Sequence, residues 1–332
     1  MTRPWPRGAV TGIGSLPGTD PLDAAALVFG EFPELPYLPE LPARGAGADM
    51  VGRSAALLVD LPVELVPSGW RITAHPGRDV RLGRDFLARD LDALEEQAAG
   101  WTGPLKLQAV GPWTLAAALE LPNGHRLVSD HGAVRDLIGS LAEGLRIHLA
   151  EVASRVPGAD LVLQLDEPSL PAVIAGRVQT PSGYGTVRSV DGSIAEQALG
   201  DVLSVAPAGG RVVHCCAEDA PITLLRAAGA DAISLDATYL DRGDYDALGD
   251  AIDAGTSLWL GVVPGVDAPI ALDPVRDRIE ALWRELGFPS SRLADDVVPT
   301  PCCGLAGATP AYVRRVATVL RDVGKWLVDL DA

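Results

Sequence analysis

The sequence predicts an α/β fold of the (β/α)8, or TIM-barrel, class, and three observations carry that prediction. Eight short, β-rich apolar runs are spread along the chain. Longer segments with helical spacing of apolar residues separate them, which implies βαβ units and parallel pairing. The unusual polar residues gather where the runs end, the open face of such a barrel.

Taken in order, the first run is "AVTGIGSLP" (9–17) and the second "WRITAHP" (70–76). Between them the Pro-rich stretch 31–48, "EFPELPYLPELPARGAGA", reads as a long loop over the barrel mouth. The helical pattern "RDFLARDLDALEEQAAG" (84–100) leads into the third run, "PLKLQAVGPWTL" (104–115). A second helical segment, 132–156, precedes "DLVLQLDEPSL" (160–170), and "RVVHCCA" (211–217) follows. The sixth, seventh and eighth runs are "DAISLDAT" (231–238), "SLWLGVVPG" (257–265) and "DVVPTPCCGLAG" (296–307). Helical patterns at 219–229, 245–255, 273–287 and 309–330 complete the alternation. No linker divides the chain, so one domain over 1–332 is expected. A doubly wound sheet is the alternative arrangement of the same units.

Composition narrows the function. With 48% hydrophobic residues, a large core can form without disulfides or a structural metal. A formal charge of −17 argues against nucleic acid or an anionic membrane as partner. Lys106 and Lys325 are the only lysines, a bias that fits a GC-rich genome rather than a function. The N-terminus lacks the apolar stretch of a secretory signal, and no run approaches the roughly 20 apolar residues of a membrane span. A cytoplasmic protein is expected, in which the four cysteines stay reduced and point to metal or chemistry.

Those cysteines come as two doublets, one directly after His214 and one at 302–303. Successive strand side chains face opposite sides, so His214 and Cys216 share a face while Cys215 points away. His-x-Cys, Asp236 at the next run's end and a cysteine after the eighth run form an N, S and O donor set suited to zinc. A His-x-Cys pair in a buried strand also serves packing, and spacing alone leaves both readings open.

The motifs "GIGSLPGTD", "ADMVG", "LKLQAVGPWTL", "LQLDEPSL", "VVHCC", "GADAISLDA" and "TPCCGLAG" decide further. In this order they resemble the catalytic C-terminal domain of cobalamin-independent methionine synthase, over about 9 to 325. The resemblance implies a (β/α)8 barrel holding zinc through His214, Cys216, Cys303 and, at the family's glutamate position, Asp236. It implies an amino-acid acceptor, homocysteine, bound by Ser15 and by Asp166, the residue expected to position it for catalysis, with Glu167 beside them. A zinc-bound thiol is deprotonated yet stays nucleophilic, which is what methyl transfer to sulfur needs.

The chain departs from the family in three places. The full-length enzymes carry a second, N-terminal barrel that helps bind methylfolate, and 332 residues leave no room for it. A family histidine after the seventh strand aligns near Leu272, and the glutamate of a His-Gly-Glu motif falls near Arg44. Glu40 or Asp49 could stand in for that glutamate. The expected methyl donor is therefore a methylated corrinoid, methylcobalamin or a corrinoid protein, rather than methyltetrahydrofolate. The alternatives are zinc-dependent methylation of another thiol, or a zinc barrel that binds a thiol metabolite without turnover.

Overall fold

The structure, a computed structural model, describes residues 3–330. Residues 1, 2, 331 and 332, part of the single-domain expectation, lie outside the described residues. Helices α1 (Pro21–Glu31) and α2 (Met50–Leu57) precede a hairpin of β1 (Val63–Val66) and β2 (Gly69–Ile72). Next come α3 (Arg78–Gln97), β3 (Gly103–Val110), α4 (Pro112–Ala118), α5 (His131–Arg155) and β4 (Ala159–Asp166). They are followed by α6 (Leu170–Ile174), α7 (Gly192–Leu203), β5 (Arg211–Cys215), α8 (Ile222–Ala227) and β6 (Ala232–Asp236). The last elements are α9 (Tyr245–Asp253), β7 (Ser257–Val263), α10 (Leu272–Leu286), α11 (Leu293–Asp296), β8 (Val297–Pro301) and α12 (Pro310–Asp329). Aspartates cap four of the helices, with Asp20, Asp49, Asp130 and Asp191 accepting from the first free N–H groups of α1, α2, α5 and α7.

Strands β3 to β8 pair in chain order as one parallel sheet, a TIM-barrel-like half-barrel with helices between its strands. Six of the eight expected strands are therefore present where the sequence placed them. The first run forms no extended strand; Ser15 makes a single parallel bridge to Glu40. The second run does not enter the sheet at all. Its residues 70–72 lie in the antiparallel hairpin β1–β2, which Pro67 and Ser68 close with a two-residue turn.

The stretch 31–48 also differs from its expected role as a loop over the mouth. Leu35, Tyr37, Leu38 and Leu41 are buried, and Tyr37 bridges Lys106 of β3 in parallel. Lys106 N–H donates to Pro36 O (2.9 Å) and Leu38 N–H donates to Lys106 O (2.9 Å). On the far side, Glu40 N–H donates to Gly14 O and Leu16 N–H to Glu40 O (3.1 and 2.9 Å). Leu305, just past β8, donates to Ser15 O (2.8 Å). Two extended segments thus connect the edges of the sheet through backbone bonds. Proline fixes extended φ and restricts its predecessor likewise, so this Pro-rich chain suits a strand-like path with few donors.

Side-chain alternation divides the interior into two cores. Leu163, Leu165, Val213, Cys215, Ile233 and Leu235 face outward into the large cluster shared with the helices. Val162, Val212, Ala232, Trp259 and Val298 face inward and, with Trp5, Ala9 and Leu35, form a separate apolar plug. The Trp5 and Trp259 rings meet edge-on at 5.2 Å. The plug occupies the N-terminal half of the strands, so the inward polar residues lie above it, toward the strands' C-terminal ends. Among the described residues no helix is long and apolar enough to cross a membrane.

Candidate metal centre

Asp166, His214 and Ser234 are direct Cα partners across β4, β5 and β6, and all three are buried on the inward face. Cys216 follows on the same face of the β5 end, and Cys303 lies in the turn after β8. The ligating atoms of His214, Cys216 and Cys303 all lie within 4.8 Å of one another. The two sulfurs are 3.5 Å apart. A disulfide would hold them at about 2.05 Å. Tetrahedral zinc, with Zn–S bonds of about 2.3 Å, spaces two sulfurs by about 3.8 Å, so the pair has the spacing of two ligands. His214 Nδ1 meets the Ser234 hydroxyl at 2.9 Å, which fixes the ring, while its buried Nε2 has no partner. One orphaned imidazole nitrogen beside two thiols is a donor set that fits zinc.

The two thiols are shifted in opposite directions. The Cys216 thiol 3.5 Å away, and then the neighbouring His214 imidazole, pull the Cys303 thiol down. The same contact and then burial push Cys216 up. Cys303 is thus the more acidic thiol of the two. The other members of each doublet face elsewhere. Cys215 is fully buried in the outer core, and Cys302 Sγ donates to Gly261 O at 3.3 Å.

Of the four residues expected to hold metal, Asp236 stands outside the cluster. Its Oδ1 accepts from the Thr238 N–H (2.8 Å) and hydroxyl (2.7 Å). An aspartate followed two residues later by a donor closes this local turn readily, and the short side chain is spent on it.

Ser15 does lie against the centre. A Cβ on Gly304, the residue after Cys303, would sit 2.0 Å from Ser15 Oγ, so the hydroxyl would have to turn away from the centre to admit it. Gly304→Ala is expected to destabilise the chain by about 1–3 kcal/mol through this overlap. Urea unfolding checks it, and an unchanged midpoint would refute the close approach.

Asp166 points into the interior, where Gln164 Nε2 donates to its Oδ1 at 2.7 Å. Burial raises its carboxyl, opposed by His214, Gln164 and Lys106. Glu167, expected beside the substrate, faces the other way. Its oxygens accept from the backbone N–H of Trp113 (2.8 Å) and from the N–H and hydroxyl of Thr114 (2.7 and 2.8 Å). It anchors the first turn of α4 to the end of β4. Asp49 is likewise used as a helix cap, and Arg44 pairs twice with Asp90 (2.7 and 2.9 Å).

Sequence reasoning missed the buried polar layer below Asp166. Lys106 is fully buried, and burial pulls its amine down to about 7 although Asp166 and Glu40 hold it up. Burial lifts Glu40 to about 7, against Arg53 at 3.7 Å. The signal was alternation: "LKLQAV" and "LQLD" put Lys106, Gln108, Gln164 and Asp166 at every second position of otherwise apolar strands.

The model of the cobalamin-independent synthase catalytic domain matches residues 9–325. The chain belongs to that family. Among solved structures, a B12-independent methionine synthase from Shewanella sp. W3-18-1, in complex with selenomethionine, aligns with a TM-score of 0.60 at 14% identity. The alignment covers 97% of this chain and 98% of that one, and at this identity it speaks for the fold. A β-glucosidase from Thermotoga maritima, in complex with cyclophellitol, aligns over the whole of both chains at 8% identity and a TM-score of 0.35. A search of curated proteins returns no match. Within the synthase family's catalytic domain, the His-x-Cys and Cys-Gly-Leu motifs of this chain are the residues that the fold brings together.

Proposed function

We propose that the chain is a zinc-dependent methyltransferase that methylates a thiol, homocysteine to methionine. The observation that carries the proposal is the His214–Cys216–Cys303 group, with its orphaned Nε2 and ligand-like sulfur spacing. Family membership supports the methionine-synthase chemistry. These three residues would hold the metal, and Asp236 is the fourth ligand only if its turn with Thr238 opens. Zinc, when bound, supplies the acidity that makes an incoming thiol a thiolate.

The protein's own residues would then orient the acceptor. Asp166, buried beside His214, takes the acceptor's ammonium, and Glu40, coupled to it electrostatically, stands in for the family's missing glutamate. Ser15, held against Gly304, lies where the acceptor's other end would reach. Such fixation places the sulfur for attack. In the reaction the thiol S–H bond and the donor–CH3 bond break and an S–CH3 bond forms; the donor keeps the electron pair of its methyl bond, and the thiol proton passes to solvent.

The reading extends to the donor, the fold and the compartment. Of the five histidines, His75, His125 and His131 are exposed and His148 sits on α5, leaving His214 as the inward one. A methylfolate nitrogen must be protonated to leave, whereas a reduced corrinoid leaves without a proton. This favours a methylated corrinoid, delivered as a co-substrate rather than held as a cofactor. The backbone bonds through 14–16 and 36–40 support a single domain closed as a (β/α)8 barrel. A charge of −17 and reduced cysteines suit the cytoplasm.

Metal analysis of the purified chain is expected to give one zinc per chain. X-ray absorption should count two sulfur neighbours, rising to three near ~2.3 Å on adding homocysteine. An unchanged sulfur count would leave a structural zinc and sink the acceptor role. Steady-state assays with methylcobalamin and methyltetrahydrofolate then decide the donor, and fast turnover with the folate alone would overturn the corrinoid reading.

A further inference from the structure

The fully buried Lys106 sits between the apolar plug and the metal cluster. Its ammonium donates to Ile13 O (2.7 Å), Gln164 Oε1 (2.9 Å) and Gln108 Oε1 (3.4 Å), and lies 5.0 Å from the Tyr37 ring centre. All three acceptors are neutral oxygens. A lysine can only donate and a carboxylate can only accept, so a glutamine between them has one workable orientation. Gln164 shows it: Oε1 faces Lys106, while Nε2 faces Asp166 Oδ1 (2.7 Å) and Ile13 O (3.0 Å). Gln108 repeats the arrangement on the other side. Its Oε1 takes Lys106, and its amide nitrogen bonds Leu38 O, two residues before Glu40, whose carboxyl it helps hold down.

We infer that Lys106 is a positioning residue: acting through two glutamines, it presents Asp166 and Glu40 as a carboxylate pair selecting thiols that carry an ammonium group. The inference rests on the thiol-acceptor reading and narrows it to amino-thiols. One buried cation turns two amide N–H groups toward two carboxylates. Without Lys106 each amide is free to turn its oxygen toward the carboxylate, which repels it. The pair would then lose its grip on the acceptor's ammonium, while the metal cluster, held by other strands, would keep its grip on sulfur.

The difference between ammonium recognition and general packing is measurable with two probes. L-homocysteine and 4-mercaptobutyrate share the thiol, chain and carboxylate and differ in the amino group. Titration calorimetry on the zinc-loaded chain is expected to show about 100-fold tighter binding of homocysteine by the wild type, since charged hydrogen bonds are each worth about tenfold or more. Lys106→Met should cut that preference below about 5-fold, with 4-mercaptobutyrate affinity kept within about 3-fold and zinc content unchanged. Gln164→Met, which leaves the lysine in place, should reduce the preference in the same direction and decides the matter if Lys106→Met does not fold. Equal weakening of both thiols, or a preserved preference in the variants, overturns the inference. A wild type that binds both thiols equally overturns it while sparing the thiol-acceptor reading. A wild type that binds neither removes both.

Discussion

Replacing Cys303 with serine is expected to strip the chain of zinc and abolish methyl transfer. Metal content should fall from about one to below about 0.1 per chain, and turnover by more than about 10³-fold. The three-residue cluster has no spare member among the described residues, and a serine hydroxyl is a far poorer donor to zinc than a cysteine thiolate. Cys216→Ser should behave alike. The controls lie one residue away. Cys302 donates to Gly261 O and Cys215 is packed in the outer core, so Cys302→Ala and Cys215→Ala should keep their zinc. Loss of the metal also removes its binding energy from the folded state, so a chelator should lower the melting temperature. Mass spectrometry of the metal in all four variants tests this. Zinc loss in the Cys302 or Cys215 variants instead would mean that the sulfurs facing the metal are misassigned.

The second large effect is on stability. Glu167→Ala is expected to cost about 3–5 kcal/mol, because three donors lose their acceptor in a fully buried site. The loss spreads further, since the Thr114 hydroxyl also accepts the Ser169 N–H at 3.0 Å and so secures the loop after Asp166. The Gly111 backbone packs directly on this carboxylate, since a Cβ there would lie 2.4 Å from Glu167 Oε1. The pH dependence has a definite sign. Burial lifts this carboxyl from 4.5 to about 7, although the donors at Trp113 and Thr114 oppose it. Between those values the folded chain holds a proton that the unfolded chain releases, so this contribution is full below 4.5 and is lost as pH rises through 7. Glu167→Gln should flatten that part of the stability curve. Urea unfolding at pH 5 and pH 8 measures both effects, and an Ala variant within about 1 kcal/mol of the wild type would refute the anchoring role.

The strands from 103 onward were legible because each is a short apolar run bounded by turn residues and separated from the next by helical spacing. The alternation rule also separated Cys215 from Cys216 correctly. The barrel's first two positions were not legible. Pro33, Pro36, Pro39 and Pro42 make 31–48 read as a loop, yet the residues between them are buried and bonded to β3. Conversely, "WRITAHP" has strand composition but follows the turn residues Pro67 and Ser68, which fold it back onto β1. At the site, residue types named the metal cluster. They could not show that Glu167 turns toward α4 or that Asp236 closes its own turn, since both depend on where neighbouring N–H groups lie. Lys106 was dismissed as composition because a lone lysine in a strand gives no sign of its surroundings.

The apolar plug around Trp5 and Trp259 has a kinetic consequence. It seals the far end of the sheet's interior, so acceptor and donor must use one entrance. Under the function proposed above, the acceptor's ammonium would have to reach Asp166, level with the His214 imidazole, whereas a corrinoid donor would be far too broad to follow it down. On that reading the small substrate would enter first and the large one last, with the demethylated donor departing before methionine could leave. Initial-rate patterns should be those of a compulsory-order mechanism, in which methionine competes with homocysteine for the free protein and excess donor obstructs the way in.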